Sequence, residues 1–181
     1  MDEKCFPYSA RNLPCRKACG DSASRIAKID GWGWVSDRYK PIADELKSAI
    51  SSNGPVTAAF RVYKDFFSYG GGIYQCVYDS DGLPDGGHAI LIVGWNDNPG
   101  GIGYFIVKNS WGTNWGESGY FNIAYTELLP HSIDTDKGPG TADVNFGRDA
   151  VEYTKTSSYP APPKIAEGGT ATLWGGIKAE Y

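Results

Sequence analysis

Two short apolar runs, Ala89-Ile90-Leu91-Ile92-Val93-Gly94 and Gly103-Tyr104-Phe105-Ile106-Val107, flank the segment Asp97-Asn98-Pro99-Gly100-Gly101. Runs this short and this rich in branched and aromatic side chains read as strands. The first is apolar throughout and reads as a strand buried on both faces. The Asp, Asn, Pro and Gly between them supply the backbone conformations of a reversal, so the two runs are expected to pair antiparallel. Such a hairpin carries Asn109 back towards His88, at the mouth of the first strand. Gly119 to Tyr125 supplies a third strand, closing an antiparallel sheet or half-barrel.

Upstream, Ile42, Leu46 and Ile50 recur four apart and give one apolar stripe, and Pro41 suits a first helical turn. Gly54 and Pro55 stop that helix, the one main helix expected. Ile26 to Val35 reads as an edge strand broken at Gly31-Trp32-Gly33-Trp34. Val56 to Val62 reads as a strand, Tyr63 to Tyr69 as a short helical turn dense in aromatic residues, and Gly70-Gly71-Gly72 as a tight loop. No Gly-Lys-Ser/Thr follows those glycines, so a phosphate loop is excluded. Sequential hairpins with one helix make an α+β domain.

His88 stands in Gly86-Gly87-His88-Ala89, and Asn109 in Lys108-Asn109-Ser110-Trp111-Gly112-Thr113-Asn114-Trp115-Gly116. An imidazole beside an amide oxygen suits a thiol nucleophile. The ring takes the thiol proton and later protonates the leaving amine, while the amide fixes the ring. Taken singly, the histidine reads as a structural residue, Asn109 as a turn residue, and Trp111 and Trp115 as packing aromatics. Only the combination points to a site.

From about Glu3 to Glu127 the chain resembles the C-terminal half of a papain-like cysteine peptidase. The resemblance rests on Cys5-Phe6-Pro7-Tyr8, Asn53-Gly54-Pro55-Val56, Tyr69-Gly70-Gly71-Gly72-Ile73-Tyr74, Asn109-Ser110-Trp111-Gly112 and Trp115-Gly116-Glu117-Ser118-Gly119-Tyr120, in the family's order. It implies the right-hand domain of that fold, with His88 as base and acid, Asn109 as its orienter, Trp111 shielding their hydrogen bond, and Trp115 bordering the leaving-group side of the cleft. It places Ala58, Ala59 and Ala89 on the main specificity pocket, whose small apolar walls suit a bulky hydrophobic side chain. Gly87 falls where papain has an acidic residue. The Cys-Gly-Ser-Cys-Trp type segment that holds the family's nucleophile, and its upstream glutamine, do not occur here. The expected function is therefore that of a cysteine-type endopeptidase fragment, inactive alone, whose partners are a peptide or protein substrate and the missing N-terminal helical half. The alternative is a non-catalytic peptide-binding or scaffold relative.

A net charge of -4 gives no basic stripe for nucleic acid or an anionic membrane. No apolar run reaches the roughly 18 residues that a membrane span needs, and no apolar signal segment follows Met1. Cys5, Cys15, Cys19 and Cys76 lack the paired clusters of a zinc site, so neither metal nor cofactor is expected, and a disulfide is the better reading in an extracellular or cell-surface setting. None of the four opens a helix that would make it nucleophilic. By the resemblance, one of Cys5, Cys15 and Cys19 bonds to the missing half. His131 carries no motif and reads as a surface residue. Residues 128–181, with Tyr159-Pro160-Ala161-Pro162-Pro163 and the β-like run Gly168 to Gly176, read as a tail, a linker toward a downstream module, or a wrap on the 1–127 domain.

Overall fold

A computed structural model describes residues 4–7, 9, 13–25 and 29–154. The proline-rich segment 159–163, the run 168–176 and the first residues of the expected edge strand, 26–28, lie outside them. The strands are β1 (Gly31–Trp34), β2 (Val56–Val62), β3 (Ile73–Tyr74), β4 (Gly86–Asn96), β5 (Tyr104–Lys108), β6 (Tyr120–Ala124), β7 (His131–Thr135), β8 (Gly138–Ala142) and β9 (Arg148–Thr154). Seven of them form one sheet in the order β1-β9-β2-β4-β5-β6-β3, and β7 and β8 form a separate hairpin. With α1 (Ala43–Asn53) the domain is α+β.

The hairpin β4–β5 forms around the expected turn, with Leu91 opposite Lys108 and Asn96 opposite Tyr104. β6 adds to β5, with Lys108 opposite Tyr120. β4 is covered on both sides: Ile90 and Ile92 enter the main core, whereas Val93 packs with Tyr104 and Ile106 in a second apolar cluster. β2 alternates strictly, with Val56, Ala58, Phe60 and Val62 buried. The main core is heavily aromatic, built on Phe60, Phe66, Phe105, Phe121 and Phe146. Helix α1 buries Leu46, Ala49 and Ile50. Ile42 drops out of the expected stripe. It is the N-cap, half-exposed, and its backbone N–H donates to Glu45 Oε2 at 2.9 Å. Gly54, at φ 100° and ψ -161°, takes a positive-φ conformation open to glycine that ends the helix, its N–H donating to Ile50 O at 3.0 Å.

Two expectations change. The Gly-Trp-Gly-Trp segment is the edge strand itself rather than a break in one. Thr154 Oγ1 would lie 2.8 Å from any Cβ at Gly31, so the strand pairs closely with β9 because it has glycine there. Second, the sheet does not stop at Glu127. β9 lies between β1 and β2, and the connection to it is pinned by fully buried Val144 and Phe146. Its sequence, Arg-Asp-Ala-Val-Glu-Tyr-Thr, carries little apolar signal. Backbone pairing on both of its edges holds it in place.

Candidate active site

His88 lies near the start of β4, opposite Phe60 of β2, and Asn109 follows the last residue of β5. The backbone N–H of Asn109 donates to Gly119 O at 2.9 Å, which places the side chain at the sheet's end. There His88 Nε2 lies 2.8 Å from Asn109 Oδ1. The Ser110 N–H also donates to that Oδ1, at 2.8 Å, so the oxygen of the amide, not its nitrogen, faces the ring. An acceptor at Nε2 puts the ring proton there and leaves Nδ1 as the basic nitrogen. Asn109 is buried, and its Nδ2 has no partner among the described residues. The residue is used as an acceptor.

Aromatic rings close around the pair. Trp111 sits 5.0 Å from the His88 ring and Phe60 5.9 Å from it, centroid to centroid. Phe67 stacks on the far side of Trp111 at 5.4 Å, with the planes only 3° apart. Trp115 packs edge-on against Trp111 at 4.9 Å and donates its Nε1–H to Phe67 O at 3.1 Å. These rings pack over one side of the imidazole–amide pair. Gly116 lets the wall form, because at φ 58° a Cβ there would meet Tyr120 O at 2.5 Å. Phe67 is a site residue that the sequence reading did not single out. The aromatic density of Tyr63 to Tyr69 was the available signal.

The expected pocket divides. Ala59 and Ala89 lie opposite each other in the β2–β4 ladder and share one face of the sheet. Ala58 turns the other way, opposite Ile90, and is 5% exposed within the main core. It cannot line an open pocket, because neighbouring residues of a strand face opposite sides. Gly87 is exposed, with open space where a Cβ would stand. Arg61, across from Gly87, and Arg148, across from Ala59, flank the alanine pair. Their placement follows from strand register, which the sequence alone does not display.

The three cysteines whose side chains are described, Cys5, Cys19 and Cys76, are not poised for nucleophilic chemistry. Cys5 and Cys19 form a disulfide, so neither is available for the cross-half bridge that the resemblance implied. Asp21 lies close to both sulfurs, but disulfide sulfurs offer a metal no thiolate. Cys76 is fully buried, and burial, then the nearby Asp65 carboxylate, pushes its thiol up to about 12.

The profile of papain family cysteine proteases matches residues 1–135. A gut-specific cysteine proteinase of Caenorhabditis elegans is 49% identical over 124 residues, covering 65% of this chain and 36% of that protein. The cathepsin B-like CP2 of Giardia intestinalis is 34% identical over 125 residues, covering 67% of this chain and 40% of that protein. Among solved structures, a digestive procathepsin L 3 from the larval midgut of Tenebrio molitor superposes with a TM-score of 0.58 at 28% identity, covering 86% of this chain and 44% of the other. The chain thus spans less than half the length of each of these relatives.

Proposed function

The chain belongs to the papain family of cysteine proteases, and from that premise we propose that it carries the histidine–asparagine half of a cysteine endopeptidase whose thiol lies in the rest of the protein. The observation that carries this reading is the 2.8 Å contact between His88 Nε2 and an Asn109 oxygen whose orientation the Ser110 amide fixes. In this reading Nδ1 takes the proton of the nucleophilic thiol. The resulting thiolate attacks the peptide carbonyl, and the imidazolium returns its proton to the departing amine. Water then releases the acyl group from sulfur with the same ring as base. Asn109 holds the ring in the tautomer this requires, and Trp111 and Phe67 keep that bond dry.

We infer further that an N-terminal helical half of the peptidase packs against this domain, because the chain spans less than half the length of the relatives it matches. Ala59 and Ala89 form an apolar floor for a bulky hydrophobic side chain, next to the cleaved residue on its N-terminal side. Ala59→Leu should narrow that preference roughly tenfold in a peptide-library profile, and an unchanged profile would overturn the assignment. The Cys5–Cys19 disulfide supports an oxidising, extracytosolic setting. Among the described residues no helix is long and apolar enough to cross a membrane.

A fluorogenic peptide assay tests the central reading. The 181-residue chain alone should give no turnover above background. The full-length protein should turn over, and should lose that turnover on His88→Ala. Turnover by the chain alone that survives His88→Ala would overturn the proposal.

A further inference from the structure

Glu127 is fully buried, although it is a carboxylate in a loop between two strands. It lies in the 3-10 turn Tyr125–Leu128, which directly follows β6 and brings His131, the first residue of β7, back over it. His131 Nε2 stands 3.5 Å from Glu127 Oε1. Both nitrogens of that ring face carbonyl oxygens: Nε2 faces Cys76 O at 2.7 Å, and Nδ1 faces Leu129 O at 3.3 Å. A neutral imidazole carries one N–H and can satisfy only one of them, so two carbonyl acceptors call for the imidazolium. The other carboxylate oxygen, Glu127 Oε2, has no partner among the described residues. His131 thus grips the Cys76 carbonyl, and the same Cys76 backbone lowers the pKa of Glu127, so both groups act at one peptide.

We infer that Glu127 and His131 form an acid-stabilised clasp that fixes the 73–79 stretch and the β7–β8 hairpin to the sheet, and that the clasp opens as pH rises from acid to mildly alkaline. What it holds is well defined. Asp79 N–H donates to Asp134 O at 3.0 Å, and Asp134 N–H to Val77 O at 2.9 Å, so the stretch and β7 are tied directly downstream of the clasp. Ile133 and Ala142 of the hairpin enter the main core.

The titratable groups that face the pair are a carboxyl and a thiol. Asp65 comes from the 3-10 turn Lys64–Ser68 and accepts from Tyr74 OH at 2.8 Å, while Cys76 comes from the stretch itself. Each adds negative charge as pH rises or is already negative, so none replaces the cation when His131 loses its proton. Burial pushes Glu127 up to about 7, a rise partly offset by His131 and the Cys76 backbone. Burial lowers His131, but the Cys76 carbonyl, Glu127 and the Leu129 carbonyl together raise it above its ordinary 6.5. Both groups bind protons more tightly in the folded protein than in the unfolded chain. Stabilisation from Glu127 is complete below about 4.5 and is lost as pH rises through about 7. That from His131 is complete below 6.5 and is lost through its higher folded value. The two act in the same direction.

Amide hydrogen exchange on the 181-residue chain, corrected for intrinsic rates, tests the clasp. From about pH 5 to about pH 8, protection of 73–79 and 131–142 should fall at least about tenfold relative to β4 and β5, and His131→Gln should flatten that dependence. Equal protection at the two pH values, or an unchanged slope in His131→Gln, would overturn the inference. If that variant does not fold, the ring proton of wild-type His131 decides. The chain has two histidines, so its resonance is separable from that of His88. Titration above 6.5 supports the clasp, and titration at or below 6.5 refutes it.

Discussion

The two histidines of this chain are held in opposite ways. His88 has one nitrogen bonded to a neutral amide oxygen and the other left basic. His131 has both nitrogens committed to carbonyls and a buried carboxylate beside it. A neutral orienter fixes a ring without fixing its charge, so the ring can take up and release a proton during a reaction cycle. A buried carboxylate does the reverse, tying protonation to the integrity of the fold. In the proposed reading, one histidine serves chemistry and the other architecture.

The sharpest way to break this contrast is to delete each ring or its partner. His88→Ala in the full-length protein should lower kcat/KM at least about a thousandfold with the melting temperature unchanged, since general acid–base catalysis is removed and little packing is lost. Asn109→Ala should cost about a hundredfold, chiefly in kcat, because the ring remains but loses its orientation. Glu127→Gln should act on stability rather than turnover. Urea melts should place the variant within about 1 kcal/mol of the wild type near pH 5, where Glu127 is itself a neutral acid, and above the wild type near pH 8, where the wild type carries a buried carboxylate. Phe67→Ala should have the smallest effect, a drop of roughly two- to tenfold in kcat/KM, as one face of Trp111 opens to water. A large loss of turnover in Glu127→Gln, or a large loss of stability in His88→Ala, would erase the distinction between the two sites.

What could be read from the sequence was the part in which one strand's own residues decide the outcome. The continuous apolar run at Ala89, the turn at Asp97 to Gly101 and the run at Gly103 specify β4 and β5 locally, and the Asn-Ser-Trp-Gly segment lies one strand away from His88 by simple reversal. What could not be read depends on neighbours distant in sequence. β9 belongs to the sheet through backbone pairing with β1 and β2, and its polar side chains give no hint of this. Ala58 and Ala59 look alike as letters, and only the pleat turns one into the core and the other to the open face. His131 looked like a surface residue because its partners, Cys76 O and Glu127, meet it only after the chain curls through the 3-10 turn. The spacing Glu127-x-x-x-His131 was the available signal. It is weak, because such pairs are common on exposed helices.

The most direct test of the central claim is turnover of a fluorogenic peptide by the full-length protein and by its His88→Ala variant, assayed side by side with the 181-residue chain. The account predicts activity in the full-length protein, its loss in the variant and none in the chain alone. Full-length activity that persists without His88 would contradict it.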